Sequence, residues 1–343
     1  MVFEIIYLNK NSDIPITGLD FIGVIDRGTN IIEIKPLTLC NLKCKYCFVK
    51  CGGYVSNFII DSSYLIKEVQ KFVKFKGNFD IEVHVAPYGE IFLYKDLFDL
   101  LDSLWCINGI KKISIQTNGL LLTQKIINKL EESNLTRINI SLNTFNKKLA
   151  EYLTACKNYN IDSLLNNINY LLESKINVLI APVWFPGEND KDIEDIIKFI
   201  VNLREKGFSD KKIQIGIQKY LVYKTGRRLK KIQPKSWGYF YKQLSQLEHK
   251  YNIKLKLGPK DFGIHKRPLS KLDIKEGDII PTKIVSKGRW KNECIGKINE
   301  NYSTKILLNK PLAFSENYIG KNFDVKVLKS SSKDSIITSY TPF

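Results

Sequence analysis

Three cysteines within eight positions are the residues of this sequence best suited to chemistry. Cys40, Cys44 and Cys47 have the spacing C-x3-C-x2-C, and the aromatic Tyr46 precedes the last of them. Three thiolates on one short loop can bind three irons of a [4Fe–4S] cluster and leave the fourth iron without a protein ligand, which is where chemistry can occur. A four-cysteine zinc site would normally need a second C-x2-C pair, and the sequence has none.

The elements that must position this loop come from residues 31–220, where short apolar strands alternate with longer helical patterns. Six units of the βα type predict a parallel sheet with right-handed crossovers. Asp61 is the predicted N-cap of the first helix, because its carboxylate can accept from the first free amides. Strands are predicted at Ile31–Lys35, Asp80–Ala86, Lys112–Gln116, Arg137–Leu142, Asn177–Val183 and Lys212–Lys219, and later helices at Leu97–Cys106, Thr123–Ser133, Ser163–Ser174 and Asp190–Lys206.

The predicted strands alternate polar and apolar residues. Parallel strands buried on both faces usually form continuous apolar runs, so the alternation needs another explanation. An apolar outer face covered by helices and a polar inner face predict an open barrel whose lumen holds a sizeable polar ligand. An ordinary open sheet with polar strand ends is the alternative. The polar face would carry Glu33, Lys35, Glu82, His84, Ser114, Gln116, Asn139, Ser141, Asn143, Gln214 and Gln218.

Four features, in order along the chain, resemble the signature of the radical S-adenosylmethionine (SAM) superfamily. The first is the cysteine loop, which follows the first of these predicted strands. Tyr88-Gly89-Glu90 resembles the Gly-Gly-Glu motif that contacts the amino group of the methionine moiety, although Tyr88 replaces the first glycine. Thr117-Asn118-Gly119 and the segment 140–143 resemble family segments near the SAM ribose.

The resemblance implies an α/β fold, a partial (β/α)6 barrel, with a [4Fe–4S] cluster and S-adenosyl-L-methionine as cofactors. Cys40, Cys44 and Cys47 would hold the cluster. SAM would chelate the open iron, and one electron from a low-potential donor would release a 5′-deoxyadenosyl radical that abstracts hydrogen from a C–H bond. The residues implied as cofactor contacts are Tyr46, Gly89, Glu90, Gln116, Asn118, Ser141, Asn143 and Gln218.

Two further side chains are candidates for catalysis, because Glu82 and His84 would point into the lumen if the strand register holds. A structural, hydrogen-bonded histidine is the alternative for His84. Cys51 is interpreted as a spectator, since a fourth protein ligand would occupy the iron that SAM needs, and Cys294 has no motif that gives it a role. Shorter segments such as 216–220 look similar to a group of archaeal radical SAM proteins, and that likeness supplies no substrate.

The charge of the chain is concentrated towards its end. The net charge is +18, but residues 211–262 contain 14 Lys or Arg against 2 Asp or Glu, and residues 263–343 contain 15 against 8. Residues 1–210 are close to neutral. This uneven distribution suggests that the basic part, residues 211–343, binds a polyanion. Nucleic acid is the first candidate and an anionic membrane surface is the second. Solvated lysines on helix faces are the alternative.

Two clusters of cations are predicted to contact RNA phosphates. The first follows the sixth predicted strand, where a solvated basic turn is the competing interpretation. The second surrounds Trp290, whose ring could stack on a base or could be part of a core. The predicted RNA-binding residues are Lys219, Lys224, Arg227, Arg228, Lys230, Lys231, Lys287, Arg289, Trp290 and Lys291.

The pattern beyond Pro268 predicts a small all-β barrel, because short strands alternate with turns. It looks like a TRAM domain, an OB-like barrel that binds RNA, often tRNA, in several modification enzymes. A helix is predicted before it at Lys235–Lys250. The strands are predicted at Gly277–Val285, Glu293–Asn299, Thr304–Asn309 and Lys321–Leu328.

Together these features predict a radical SAM enzyme that modifies a C–H bond of a nucleoside in structured RNA, with tRNA as the favoured substrate. The first alternative is a peptide, lipid or small metabolite as substrate. The second is an RNA-binding protein whose cluster serves structure or redox sensing without turnover.

The domain organisation predicted from these patterns has four parts. Residues 1–30 would be an N-terminal extension, 31–230 the radical SAM partial barrel, 231–262 a basic helical connector and 263–343 the TRAM-like barrel. The hydrophobic content of 44% is ample for a packed core. The sequence has no long apolar run and no secretory signal, so we expect a cytoplasmic protein without a membrane span.

Overall fold

The computed structural model describes residues 4–309 and 313–341 of the 343-residue chain. They form two compact units whose segments alternate along the sequence. The first unit comprises Met1–Leu39, Gly53–Lys112 and Ile264–Phe343, and the second comprises Cys40–Gly52 and Ile113–Gly263. The cysteine loop, which we define as residues 40–52, therefore belongs to the second unit.

The strands and helices are named in chain order. The strands are β1 (Glu4–Leu8), β2 (Gly23–Asp26), β3 (Ile31–Lys35), β4 (Ser56–Ile60), β5 (Ile81–Val85), β6 (Ile110–Thr117), β7 (Arg137–Ile140), β8 (Asn177–Ile180), β9 (Val183–Trp184), β10 (Ile213–Ile215), β11 (Gln218–Lys219), β12 (Ile279–Lys287), β13 (Glu293–Lys297), β14 (Ser303–Leu307), β15 (Asn322–Ser330) and β16 (Ile337–Tyr340). The helices are α1 (Ser62–Phe75), α2 (Leu97–Trp105), α3 (Gln124–Glu132), α4 (Lys147–Thr154), α5 (Ile161–Glu173), α6 (Asp190–Glu205), α7 (Trp237–Tyr251) and α8 (Pro259–Phe262).

The alternation of strands and helices predicted between residues 31 and 220 is present. The last predicted strand differs, because it is divided into β10, which pairs with β8, and β11, which pairs with β9. Sequence patterns missed β1, β2 and β4, which precede or flank the cysteine loop in sequence, and the short helix α4.

In the second unit, β6, β7, β8 and β10 lie side by side as parallel strands. Ile115 and Ile138 are neighbours on one face and are fully buried. On the other face polar groups bond to each other, since Gln116 Nε2 donates to Ser141 Oγ at 3.2 Å. The predicted separation of polar and apolar faces is therefore present in these strands.

In the first unit, β3 pairs with β2 in the antiparallel sense and with β5 in the parallel sense. Ile32 and Ile34 are fully buried on one face of β3. On the other face Lys35 lies 2.5 Å from Glu33, and Arg27 lies 2.8 Å from the same carboxylate. Burial alone would raise the pKa of Glu33, but Lys35 and Arg27 lower it to about 2. The polar face of β3 thus carries a fixed negative charge held by two cations.

The helices begin where the sequence supplies caps. Asp61 Oδ1 accepts from the Tyr64 amide at 3.3 Å at the start of α1, as predicted. Helix α6 buries Ile193, Ile196 and Ile200 on one face, as expected for an amphipathic helix that covers a sheet. Across the described ranges 4–309 and 313–341, no helix is both long and apolar enough to cross a membrane.

The C-terminal strands form a closed barrel with the order β12-β13-β14-β16-β15. Its core contains Ile284, Cys294, Ile306 and Val325, all essentially without exposed surface. The burial of Cys294 accounts for that cysteine as a core residue. The prediction of a small all-β barrel is confirmed, and β16 is the strand that the sequence patterns missed because it follows a polar turn of serine and lysine residues.

A buried ion pair joins distant segments of the first unit. Lys76 Nζ lies 2.7 Å from Asp26 Oδ1, and both side chains are fully buried. The other oxygen of Asp26 accepts from the Ser270 amide at 2.8 Å, and Lys76 also donates to the Pro268 carbonyl at 3.0 Å. These bonds connect β2, the end of α1 and the segment that enters the barrel.

Removing one partner should leave an uncompensated buried charge. We expect Lys76→Met to lower the free energy of unfolding by about 3–5 kcal/mol, because the Asp26 side chain is left buried without its cationic partner. The measurement is anaerobic urea unfolding followed by circular dichroism. Lys67→Met, at an exposed position of the same helix, is the matched control and should change stability by under about 0.5 kcal/mol. Equal stability of the two variants would contradict this account.

Candidate functional site

The cysteine loop is built from successive tight turns rather than from regular secondary structure. The Cys47 amide donates to the Cys44 carbonyl at 3.2 Å, and the Lys50 amide donates to the Cys47 carbonyl at 3.1 Å. Cys40, Cys44 and Cys47 are half-buried. The Cys51 amide donates to Cys47 Sγ at 3.3 Å.

Arg227 lies far from this loop in sequence but holds it in place through hydrogen bonds. Its Nε donates to the Cys44 carbonyl and its Nη2 to the Cys51 carbonyl, each at 2.6 Å. Its amide donates to the Cys47 carbonyl at 2.8 Å. The chain can approach so closely because residue 226 is glycine: a Cβ there would lie 2.6 Å from the Phe48 carbonyl oxygen. Three carbonyls of the loop thus take their hydrogen bonds from one residue.

Arg227 was predicted as an RNA contact, and the structure gives its guanidinium a different partner. Two of the guanidinium nitrogens are already hydrogen-bonded to the cysteine loop. The prediction rested on the cluster of cations between residues 219 and 231, which does not distinguish an arginine that faces solvent from one that faces a loop. We therefore interpret Arg227 as a positioning residue for the loop.

Tyr46 connects the cysteine loop to the end of β7. Asn143 Nδ2 donates to the Tyr46 hydroxyl at 2.6 Å, and Asn143 Oδ1 accepts from the Val183 amide at 2.7 Å. The Tyr46 ring packs on Phe185 with ring centroids 4.8 Å apart. Burial raises the pKa of Tyr46 far above its usual value, so its hydroxyl keeps its proton. Two residues predicted from the resemblance, Tyr46 and Asn143, are thus brought together.

Asn118 makes a second connection to the loop. Its Nδ2 donates to Asn41 Oδ1 at 2.9 Å, and its own carbonyl accepts from the Tyr159 hydroxyl at 3.1 Å. Gly119 follows in the left-handed region with φ +76°, a conformation that glycine adopts without strain. Of the other predicted cofactor contacts in this unit, Gln116 and Ser141 bond to each other, and Gln218 is exposed in β11.

The donor set of the loop fits an iron–sulfur cluster. Burial and the neighbouring cysteines raise the pKa of Cys44 to about 12 in the absence of metal, so a cationic centre would be needed to hold its thiolate. In the described part of the chain, no three His, Cys, Asp or Glu side chains are grouped as ligands of a single ion would be. A four-iron cluster takes one thiolate per iron, and this loop offers separate thiolates from Cys40, Cys44 and Cys47.

Cys51 lies beside Cys40, and a hydrogen bond between the two thiols, followed by burial, raises the pKa of Cys51. Its side chain is buried, with 4% of its surface exposed. The backbone of Cys51, rather than its sulfur, is used at the site: its amide contacts Cys47 Sγ and its carbonyl accepts from Arg227. The interpretation of Cys51 as a non-ligand stays a prediction.

The Tyr88-Gly89-Glu90 motif lies in the first unit, after β5. The Glu90 amide donates to the Leu39 carbonyl at 2.8 Å, and an added Cβ on Gly89 would lie 2.0 Å from that same oxygen. Only glycine fits there. Glu90 is fully buried and accepts from the Phe92 amide at 3.3 Å. Tyr88, which replaces a glycine of the motif, has its ring under Lys35 Nζ at 4.4 Å.

The two catalytic candidates lie on the same strand of the first unit. Glu82 is buried, with 2% of its surface exposed, whereas His84 is half-buried and lies opposite Glu33 in the register of β3 and β5. The two side chains share the polar face that was predicted for this strand. Their catalytic roles stay predictions.

The predicted RNA contacts of the second unit are mostly exposed. Lys224, Arg228, Lys230 and Lys231 have exposed side chains, and none of them has an ion pair among residues 4–309 and 313–341. Lys219 is half-buried, with its Nζ 5.0 Å from the centre of the Trp237 ring. These cations are available to an external partner.

The predicted RNA contacts of the barrel are mostly engaged. Arg289 is 6% exposed and forms a bidentate pair with Glu293, at 3.0 and 3.1 Å. Lys287 is shared between Glu4 and Glu316, at 2.9 and 2.8 Å. Trp290 packs edge-on against Tyr54, and Lys291 is exposed. Because Arg289 is buried and paired, we leave it out of the surface proposed for RNA.

Sequence reasoning missed several residues that hold the site together. Asn189 is fully buried; its Oδ1 accepts from the Phe185 amide at 2.7 Å, and its Nδ2 donates to the carbonyls of Asn143 and Val183, both at 3.0 Å. Asn41 bonds to Asn118, as described above. Such residues satisfy backbone groups of irregular segments, and no periodic pattern of the sequence indicates which asparagine does so.

Comparisons with known proteins support the same interpretation of the cysteine loop. The family model described as Radical SAM superfamily matches residues 34–200. An uncharacterized protein of Methanocaldococcus jannaschii is 37% identical over 97% of this chain and 80% of its own length.

Two further comparisons concern about half of the chain and the fold. A GTP 3′,8-cyclase of Aquifex aeolicus is 27% identical over 52% of this chain and 55% of its own length, so the chain spans about half of that relative. Among solved structures, anSMEcpe with bound AdoMet has a TM-score of 0.51 and 16% identity, and the match covers 79% of this chain and 74% of that one. This last likeness concerns the fold alone.

The role assigned to Arg227 can be tested by a substitution that keeps its charge. We expect Arg227→Lys to lower the iron content per chain and to speed the loss of the cluster's absorbance in air by about tenfold, because one ammonium cannot reach both the Cys44 and Cys51 carbonyls. Arg228→Lys, at the adjacent exposed position, is the matched control and should behave like the native protein. Identical iron content and decay rates in all three proteins would show that Arg227 does not position the loop.

Proposed function

Because this chain belongs to the radical SAM superfamily, we propose that it modifies a C–H bond of a nucleoside in structured RNA, with tRNA as the favoured substrate. The chain is a radical SAM enzyme, and its cofactors are a [4Fe–4S] cluster and SAM. When bound and reduced by a low-potential donor, these cofactors supply a 5′-deoxyadenosyl radical that abstracts hydrogen. The substrate class is our inference.

The residues of this chain have distinct tasks in this proposal. Cys40, Cys44 and Cys47 would hold the cluster, and Arg227 orients the loop that carries them. Tyr46, with its hydroxyl held by Asn143, packs on Phe185 and so attaches the loop to the rest of the second unit. In the first unit, Gly89 and Glu90 would serve the methionine moiety of SAM.

The observation that carries the RNA proposal is the unpaired charge of residues 219–235, which we call the basic segment. It contains seven Lys or Arg residues, and no Asp or Glu occurs between residues 211 and 247. Arg227 is used inside the protein, but the five exposed cations of the segment, Lys224, Arg228, Lys230, Lys231 and Lys235, are not neutralised by carboxylates of the described residues. A surface of this kind matches the regular charges of a phosphate backbone.

A cavity beside the basic segment offers space for a nucleoside-sized group. Its volume is about 480 Å³, within the range of small-molecule sites. Lys231, Lys148 and Tyr152 contribute to its lining. Tyr152 also contacts the cysteine loop, because Lys45 Nζ lies 3.7 Å from the centre of its ring. Glu188 also lines the cavity, so two lysines and one carboxylate surround the aromatic ring, a mixture that suits the polar groups of a base beside a phosphate.

The barrel contributes less charge than its composition suggests. Lys283 and Lys297 both pair with Asp13, at 3.2 and 2.5 Å, and Lys305 pairs with Asp20 at 2.7 Å. These cations are therefore largely balanced within the first unit. We retain a TRAM-like role for the barrel as a proposal, with the exposed Lys291 and the half-buried Trp290 as its candidates, and assign most phosphate contacts to the basic segment. The division of the chain at residues 30, 230 and 262 also stays a prediction.

A second candidate function follows from the relatives. The likeness to GTP 3′,8-cyclases over about half of the chain favours a guanosine nucleotide as an alternative, small substrate. The same cavity and cations would suit a free nucleotide. The two candidates differ in the size of the polyanion: a free nucleotide does not need an extended basic surface, whereas a structured RNA does.

The test uses anaerobically reconstituted full-length protein with SAM and a strong reductant. We expect unmodified tRNA to stimulate formation of 5′-deoxyadenosine at least tenfold and ribonuclease-treated tRNA to lose that stimulation, because the substrate is the folded RNA. Cys44→Ala is the control and should form none. Stimulation by GTP but not by tRNA would replace the RNA proposal with the nucleotide one, and indifference to both would reject each.

A further inference from the structure

We propose that the first turns of α7 form a stacking platform for unpaired bases of the RNA substrate; this inference rests on the proposed function. Three large aromatic residues occur within five positions there and are unusually exposed. Trp237 has 52% of its surface exposed, Tyr239 40% and Tyr241 49%. Scattered exposed aromatics need no explanation, but Trp237 and Tyr241 contact each other and so form one exposed patch on the helix, which marks a contact surface.

The geometry of the platform is suited to flat ligands. Trp237 and Tyr241 are four residues apart on the helix, and their rings are stacked, with centroids 5.7 Å apart and an interplanar angle of 24°. Phe240 and Leu244, on another face of α7, are buried and attach the helix to the rest of the second unit. Phe240 and Leu244 thus hold the helix in place, and the stacked rings of Trp237 and Tyr241 are exposed to solvent.

Cations lie next to these rings. Lys219 Nζ is 5.0 Å from the centre of the Trp237 ring, and Lys235 Nζ is 5.7 Å from that of Tyr239. Neither lysine has an ion pair with a carboxylate in the part of the chain that the structure describes. Aromatic faces alternating with unpaired cations are the arrangement by which proteins bind single-stranded nucleic acid, since rings stack on bases while cations follow the phosphates.

An anionic membrane would also attract lysine and tryptophan, but the exposed face of α7 favours RNA. Helices that insert into a membrane surface present aliphatic side chains together with aromatic ones. The two leucines of α7, Leu244 and Leu247, are not exposed. The platform is also continuous in sequence with the basic segment, whose Arg227 bonds to the cysteine loop, so an RNA held there would be held by the same unit as that loop.

The experiment measures binding by the reconstituted holoenzyme, with SAM present, to a fluorescent single-stranded oligouridine and to an unmodified tRNA transcript over a range of salt concentrations. Trp237→Leu with Tyr241→Leu should weaken binding of both about tenfold or more while leaving the salt slope unchanged, because stacking is lost and phosphate contacts are kept. Trp237→Phe with Tyr241→Phe should restore most of the affinity. Lys230→Ala with Lys231→Ala should instead flatten the salt slope.

The matched control is Tyr170→Leu, an equally exposed tyrosine on α5 of the same unit, which should bind both RNAs as the native protein does. Circular dichroism checks that each variant is folded. Native-like affinity of the double leucine variant, with RNA binding intact, would overturn the platform but leave the proposed function standing. Failure of the native protein to bind either RNA would overturn both, as would binding of phosphatidylserine vesicles in preference to RNA.

Discussion

The cysteine loop depends on one arginine for its shape. Residues 40–52 contain no helix or strand, and their internal turns leave backbone groups that bond to other parts of the chain. Arg227 supplies three donors to the carbonyls of Cys44, Cys47 and Cys51. A guanidinium suits this task, because its planar fork keeps its charge and reaches two acceptors in fixed directions. The glycine before it allows the two backbones to meet. Without this contact the loop would keep its connections through Asn41 and Tyr46 but lose those at the carbonyls of Cys44, Cys47 and Cys51.

The same arginine shows why net charge is a poor guide to a binding surface. The chain carries an excess of cations in its last 133 residues, yet many are already engaged. Within the first unit, Asp13, Asp20 and Glu293 pair with four basic side chains of the barrel region, which are Lys283, Arg289, Lys297 and Lys305. In the second unit, one cation holds the cysteine loop and its neighbours remain unpaired. Charge that is not neutralised within the fold is what a polyanion can use, and here it lies in the basic segment and beside α7.

Much of the fold could be predicted from the sequence, because periodic patterns indicate it. The alternation of apolar Ile115 with polar Gln116 in β6, and the apolar Ile138 beside Ile115 in β7, indicated the two faces of the sheet. Asp61 indicated the start of α1. Irregular parts could not be predicted in this way. Asn189 and Arg227 act on carbonyls far away in sequence, and a single sequence contains no sign of such a partner. The resemblance to a family located Gly89, but its contact with Leu39 explains why glycine is needed.

Hydrogen–deuterium exchange of the reconstituted protein, with and without unmodified tRNA, tests the central claim most directly. The claim is that the substrate RNA binds to the unpaired cations of the basic segment and to the exposed rings of α7, in the unit that carries the cysteine loop. We predict slower exchange in peptides that cover residues 219–242 when tRNA is added, and little change in the barrel strands β12 to β16. Protection confined to the barrel, or protection by GTP alone, would contradict the account.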